Sequence, residues 1–326
     1  MKNPFVTNGY VSPEYFCDRE KETAKIVSLL TNENNIALIS PRRLGKTDLL
    51  RHCFGQPEIK EHYHTFIIDI YATSSVRDFV NVFGKAVLDE LRPKGKSVWG
   101  TFLNVLASLR SEITFDMNGQ PTWGIGLGAI TNPSATLDEI FSYLNNAGKP
   151  CLIAIDEFQQ ITKYADDPNI EAALRTHIQR CSNAHFVFSG SHRHLMGAMF
   201  TSPARPFYQS VTLINLPPIS VDKYAEFCLK HFERVSKHLD TLVVTELYER
   251  FNGITSYMQK VMNILFSMTG TGEICIPSMI DTAINDLLDF SADTYDALLY
   301  QMPEKQRIVF MAVSYTHLRA HETKAN

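Results

Sequence analysis

Ile36-Ala37-Leu38-Ile39-Ser40-Pro41-Arg42-Arg43-Leu44-Gly45-Lys46-Thr47-Asp48-Leu49-Leu50 is the stretch that decides how this chain is read. Ile36–Ser40 is a short apolar run of strand type, Pro41–Gly45 is a basic turn, and helical spacing starts at Lys46. A strand, a tight turn and a helix N-terminus in succession aim backbone N–H groups and a helix dipole at a phosphate. Against the pattern G-x-x-x-x-G-K-[ST], only the first glycine is replaced, by Ser40. Gly45 lets the backbone approach, Lys46 reaches the terminal phosphates, and the Thr47 hydroxyl suits magnesium. Pro41, Arg42, Arg43, Leu44 and Asp48 complete the expected nucleotide-binding loop. The competing reading is a basic turn that merely ends a strand.

Outward from the loop, Cys151–Ile155 (CLIAI) is a second buried strand, and it ends in Asp156-Glu157. Parallel sheets bind ligands at the carboxyl tips of their strands. Asp156 is expected to hold Mg2+, directly or through a water, and Glu157 to polarise an attacking water. A glutamate there favours hydrolysis over transfer to a small acceptor; the alternative is an acidic strand end without chemistry. The run His185–Ser189 leads into Gly190-Ser191, which places Ser191 as a candidate sensor of the terminal phosphate, or else as part of a plain turn. Arg205-Pro206-Phe207-Tyr208 precedes the last apolar run, Val211–Leu216. Arg205 is the candidate arginine finger for a neighbouring subunit or a sensor in cis, with a surface charge as the bland reading.

Thr65–Tyr71 supplies a further strand, and helical patterns cover 23–33, Val76–Leu91 and Leu137–Ala147. Five apolar strands separated by helices predict an α/β fold whose parallel sheet is covered on both faces. Residues 93–135 break the rhythm and read as an insertion, with a hairpin about Asn118-Gly119. From Ser220 the patterns are helical alone: Val221–Val235, Leu239–Phe251, Tyr257–Phe266 and Pro277–Tyr300. The expected organisation is a core over 1–216, a boundary near Pro217-Pro218 and an all-helical lid over 217–294. Ser314–Thr323 (SYTHLRAHET) resembles a translated sequencing adaptor, so 314–326 reads as a foreign tail and the natural chain as continuing past Val313.

Composition narrows the function classes. A hydrophobic fraction of 44% over 326 residues sustains a core without staples. A net charge of -4 argues against indiscriminate coating of nucleic acid, though not against a local basic face. The six cysteines form no C-x-x-C pair and read as reduced thiols filling the core. The polar, turn-rich start does not resemble a signal peptide, and no run reaches the roughly 18 apolar residues of a membrane span, so the cytoplasm is the expected setting. Gly124, Gly126 and Gly128 lead into no helix and make no second phosphate loop. His62 and His64 lack the partners of a metal site, and His192 and His194, which follow the strand ending at Ser189, read as solvated rather than catalytic.

With these motifs placed, the chain resembles the archaeal-type ATPase family, a STAND-like branch of the AAA+ P-loop ATPases also common in the Bacteroidetes. The likeness covers roughly residues 3–313. Phe16-Cys17-Asp18-Arg19-Glu20-Lys21-Glu22 is similar to the family's F-x-x-R-E-x-E, which implies a place for Arg19 on the adenine and ribose side. S-P-R-R-x-G-K-T is itself frequent in the family. L-I-A-I-D-E-F-Q at 152–159, F-S-G-S at 188–191 and R-P-F-Y at 205–208 continue the match. N-G-I-T-S-Y-M-Q at 252–259 is similar to G-x-P-x-x-x-Q, with Thr255 where relatives often carry proline.

The resemblance implies a three-layer P-loop sandwich of strand order 5-1-4-3-2 followed by the lid. It also implies ATP and Mg2+ as ligands, with hydrolysis driving a conformational switch as the lid closes. Preference for ATP over GTP comes from the resemblance, beside the absence of an N-K-x-D guanine motif. Relatives usually continue into a winged helix, of which 295–313 looks like the truncated start; DNA binding is expected only through the complete domain. A homo-oligomer or a protein partner stays open, and no membrane partner is expected. The rival readings are an ATP-gated DNA-binding initiator or loader and a signalling scaffold that binds nucleotide without hydrolysing it.

Overall fold

Successive side chains of a strand point to opposite faces of a sheet, so a strand apolar throughout needs a cover on both sides. The computed structural model of the protein describes residues 3–91, 114–115, 121–122 and 132–322. Its central sheet has five strands: β1 Ile36–Ile39, β2 His64–Asp69, β3 Cys151–Asp156, β4 Ala184–Gly190 and β5 Thr212–Asn215. All pairings are parallel, in the order β2-β3-β4-β1-β5, which is the expected 5-1-4-3-2 read from the other edge. The register sets Ile39 opposite Gly190 and Asn215, and Asp69 opposite Asp156. The carboxyl tips of β1, β3 and β4 therefore share one edge of the sheet.

The two faces are covered by different helices. Ile36, Leu38, Leu152, Ala154 and Val187 pack with Ile26, Val27 and Leu30 of α1 (Glu20–Thr31) and Leu49, Leu50 and Cys53 of α2 (Lys46–Phe54). On the opposite face Ala37, Ile39, Ile153, Ile155, Phe186 and Phe188 meet the remaining large helices. After the short α3 (Pro57–His62), these are α4 (Val76–Glu90), α5 (Pro133–Asn145), α6 (Ile170–Arg180) and α7 (Arg193–Thr201). Local signals start two of them. Ser75 Oγ accepts the Asp78 amide at 3.1 Å at the head of α4, and Asn132 Oδ1 accepts the Ala135 amide at 3.2 Å before Pro133 of α5.

Beyond the tip of β3 an aromatic cluster fixes the chain. Phe158 lies fully buried with its ring centroid 4.4 Å from Phe188 and 5.4 Å from Phe207. Thr114–Phe115 pairs antiparallel with Thr122 and Pro121, as a hairpin requires. The turn residues Asn118 and Gly119, and Gly124, Gly126 and Gly128, lie outside the described residues. All six cysteines are buried as thiols, none in a disulfide.

The chain separates into two compact units, the first spanning Asn8–Phe227 with Gly253–Ser256 and the second built from the remainder. The division falls inside α8 (Val221–Glu233), past the proline pair at 217–218. The prolines mark where the last strand stops, whereas packing continues; the Cys17 thiol reaches the Lys223 carbonyl at 3.9 Å within the first unit. The second unit also takes the N-terminal residues, which the sequence reading counted with the core. Phe5 is fully buried there against Phe232 and Phe266, and the Asn3 side-chain amide donates to the Asn263 carbonyl at 2.8 Å. The second unit is not helices alone: His238–Leu239 and Ile274–Cys275 form a small parallel ladder. The helix expected over Pro277–Tyr300 is instead a 3-10 turn, Pro277–Met279, and two helices, Ile280–Asp289 and Ala292–Gln301, broken at Phe290-Ser291. A last helix, Glu304–Glu322, runs through Ser314, where the sequence patterns suggested a break. Among the described residues no helix is long and apolar enough to cross a membrane.

Gly190, at the tip of β4, is required by space. A Cβ there would stand 2.6 Å from the Met196 sulfur and closer still to the side-chain oxygen of Gln159. Gly190→Ala is expected to lower stability by about 1–3 kcal/mol, the usual cost of overpacking, as a lower urea midpoint with unchanged slope.

Candidate functional site

The loop after β1 is held by its own backbone geometry. Gly45 has φ 81°, a left-handed conformation that costs an L side chain, and stands immediately before α2. Among the described residues no side chain caps that helix, and backbone amides at a helix N-terminus suit an anion. Arg43 is also left-handed, at φ 69°, and its carbonyl accepts the Ser256 amide at 3.2 Å. Strain at a non-glycine residue, of order 1–3 kcal/mol, persists where surrounding contacts over-determine it.

Lys46 is buried in the curve of the loop. Its Nζ donates to the carbonyls of Ser40 at 3.0 Å and Pro41 at 3.1 Å, with Ser40 Oγ at 3.4 Å. Ser40, standing where the general pattern has glycine, is fully buried and donates its hydroxyl to the Pro41 carbonyl at 3.0 Å. Burial pulls the Lys46 ammonium below its ordinary pKa; Asp156 and Glu157 oppose that shift and Arg42 adds to it. Leu44 is buried, while Pro41, Arg42 and Arg43 are exposed.

Thr47 Oγ1 donates to Asp156 Oδ2 at 2.5 Å, although β1 and β3 are not neighbours in the sheet. The pair offers hard oxygens, a hydroxyl and a carboxylate, in contact beside the phosphate loop. Asp156 Oδ1 accepts the Glu157 amide at 3.0 Å, and Glu157 turns the chain with φ 54°. The Glu157 carboxylate is itself held: Ser191 Oγ donates to Oε2 at 2.8 Å, and Gln159 Nε2 donates to the same oxygen. Burial pushes the Glu157 carboxyl up. The hydrogen bonds from Gln159 and Ser191 and the charges of Lys46 and Arg42 outweigh it and bring the pKa below the ordinary value. Arg42 joins the same group, with Nε 3.4 Å from Ser191 Oγ and its guanidinium carbon 5.2 Å from the Tyr71 ring centroid.

Lys46, Thr47, Asp156, Glu157, Ser191 and Arg42 thus meet at one edge of the sheet. Three other expected residues have different surroundings. Asp48 faces Arg51 at 3.4 Å, and burial raises its carboxyl against the pull of that charge. The Arg19 guanidinium is taken up by Glu22 at 2.8 Å and by the Pro217 carbonyl at 2.7 Å. Arg205 forms an ion pair with Glu171 of α6. Burial raises the Glu171 carboxyl, and the Arg205 charge opposes that rise. Sequence reasoning missed Gln159, Tyr71 and Glu171. A glutamine two residues after the strand-end glutamate is a visible signal for the first; the other two are separated in sequence from the groups they touch.

Residues 16–261 match the family described as an ATPase domain predominantly from Archaea. No curated protein sequence matches the chain. Among solved structures, the Walker-type ATPase of Pyrococcus abyssi is similar at TM-score 0.61 and 18% identity, over 91% of this chain and 79% of that one. The ORC2 protein of Aeropyrum pernix follows at TM-score 0.58 and 13% identity, over 87% and 71%. The ORC1 protein of the same organism, solved in complex with DNA, gives 0.56 and 12%, over 93% and 73%. At such identities the likeness concerns the fold, which is of the AAA+ kind. With its phosphate loop and strand-tip carboxylates on an AAA+-like sheet, and a family match over most of its length, the chain belongs to the ATPase-domain family found predominantly in Archaea.

Proposed function

We propose that the protein hydrolyses ATP with magnesium and uses the cycle to drive a conformational switch of the STAND-like kind, in a cytoplasmic setting. The observation that carries this reading is the 2.5 Å contact between Thr47 and Asp156, with Glu157 next in the chain. Thr47 and Asp156 are the residues that would hold Mg2+, which when bound offsets the charge of the phosphates. Lys46 would exchange the loop carbonyls for the terminal phosphates. Glu157 would orient the attacking water and take up its proton at the carboxylate, as the terminal phosphorus leaves the bridging oxygen of ADP. Ser191 and Gln159, bound to that carboxylate, make its position depend on what occupies the phosphate end. The Ser256 amide on the Arg43 carbonyl connects the loop to the start of the helix Thr255–Met268, which supports a mechanical output.

Holding Glu157 on Oε2 favours slow basal turnover and gives the nucleotide-binding scaffold its one supporting observation. The initiator-like reading rests on a fold shared with a DNA-bound relative, and fold alone does not carry that activity. A role for Arg205 on a neighbouring subunit requires release of Glu171 first.

Glu157→Gln is expected to reduce phosphate release by about 10²-fold or more while still binding ATP. Lys46→Ala should weaken ATP binding by at least about tenfold, the loss of charge-assisted hydrogen bonds. Tight ATP binding with no release by the wild type would replace the hydrolytic reading with the scaffold. Arg205→Ala is expected to cost about 1–3 kcal/mol by leaving Glu171 buried without its partner. In a double-mutant cycle with Glu171→Gln, measured by urea denaturation, the two losses should fall short of additive.

A further inference from the structure

Phosphoryl transfer spreads charge over the outer oxygens of the moving phosphate, and a lysine and a metal ion are commonly joined by an arginine. Arg205, the arginine whose sequence context suggested that role, has its guanidinium engaged by Glu171 within this chain. Arg42 is placed differently. It belongs to the phosphate loop itself, lies exposed, and reaches Ser191 Oγ at 3.4 Å, while Ser191 in turn donates to Glu157. Its guanidinium stands over the ring of Tyr71, two residues past the end of β2, and Tyr71 is itself 55% exposed.

These contacts of Arg42 with described residues are of the kind a phosphate displaces. A long hydrogen bond to a neutral hydroxyl and a solvent-exposed ring face hold a guanidinium more weakly than a phosphate does. Through Ser191, which accepts from Arg42 and donates to Glu157, the guanidinium already stands on the Glu157 side of the loop that carries Lys46.

We propose that Arg42 is a catalytic residue acting in cis on the terminal phosphate of ATP, and that Tyr71 is the positioning residue that keeps its guanidinium at the Ser191–Glu157 side of the loop. The inference rests on the hydrolytic reading above. In the reaction, water oxygen bonds to the terminal phosphorus and the bond to the bridging oxygen of ADP breaks. The water proton passes to Glu157, and Arg42 compensates the charge on the outer oxygens without exchanging a proton. Leaving Ser191 for the phosphate removes the donor to the hydroxyl that itself donates to Glu157, so arrival of ATP weakens that hydrogen bond.

The test uses the full chain with Arg42→Ala, Arg42→Lys, Tyr71→Leu and Tyr71→Phe. ATP affinity is read by calorimetry, turnover by phosphate release, and transition-state complementarity by the affinity for ADP with aluminium fluoride relative to ADP alone. Arg42→Ala should lower kcat by about 10²-fold or more with ATP affinity changed less than about threefold. It should also abolish the preference for ADP with aluminium fluoride. Arg42→Lys should recover little, since an ammonium lacks the planar fork. Tyr71→Leu should lower kcat by about three- to tenfold, and Tyr71→Phe, which keeps the ring face, should restore it. Turnover by Arg42→Ala equal to that of the wild type overturns the proposal, as does a loss confined to ATP affinity. A wild type that binds ATP but releases no phosphate overturns the hydrolytic reading instead. In that case a fluoride-complex preference unaffected by Arg42→Ala overturns the Arg42 assignment separately.

Discussion

The hydrogen bond from Thr47 to Asp156 joins the first helical residues after β1 to the tip of β3, two strands that do not touch. For that bond to form, β4 must lie between them in register, so that Ile39, Gly190 and Asp156 end at the same edge. Everything at the site hangs on that alignment. A slip of one residue in either pairing would also turn each buried side chain to the wrong face, and both faces are packed. The same apolar burial that stabilises the sheet thereby sets the separation between the phosphate loop and the carboxylates.

Around that tie lie positive-φ backbone and buried charge side by side. Gly45, Arg43 and Glu157 all take positive φ, and Lys46 and Asp156 are buried charges close to one another. The strain is tolerated because Phe158 anchors the chain one residue beyond Glu157 and the loop carbonyls hold Lys46. The carboxylate of Glu157 is stabilised as an anion, yet both hydrogen bonds that stabilise it fall on one oxygen and lock its direction. Stabilisation of the anion and restraint of its direction therefore come from the same two donors.

The arginines divide by what surrounds them. Arg19 and Arg205 are each bound by a glutamate, with Arg19 also donating to a carbonyl, and such contacts give up a guanidinium only at a cost. Arg42 is exposed and lightly held. Identical side chains thus carry different prospects for chemistry.

Much of the fold was legible because its signals are local. The apolar runs at Ile36, Thr65, Cys151, His185 and Val211, the G-K-T after the first of them and the paired carboxylates after the third read directly as strands and a phosphate site. Boundaries shifted where packing overrides pattern: Phe5 joined the second unit through burial against Phe232 and Phe266, and the helix expected over Pro277–Tyr300 broke at Phe290-Ser291. The sequence by itself determined the strands, the loop after the first of them and the candidate residues at strand ends, because strand, turn and helix propensities act over a few residues. Only the tertiary structure decided which of those residues meet. Gln159 and Ser191 share one oxygen of Glu157, Tyr71 lies under Arg42, and Glu171 takes Arg205, since such contacts depend on strand order and register across long stretches of chain.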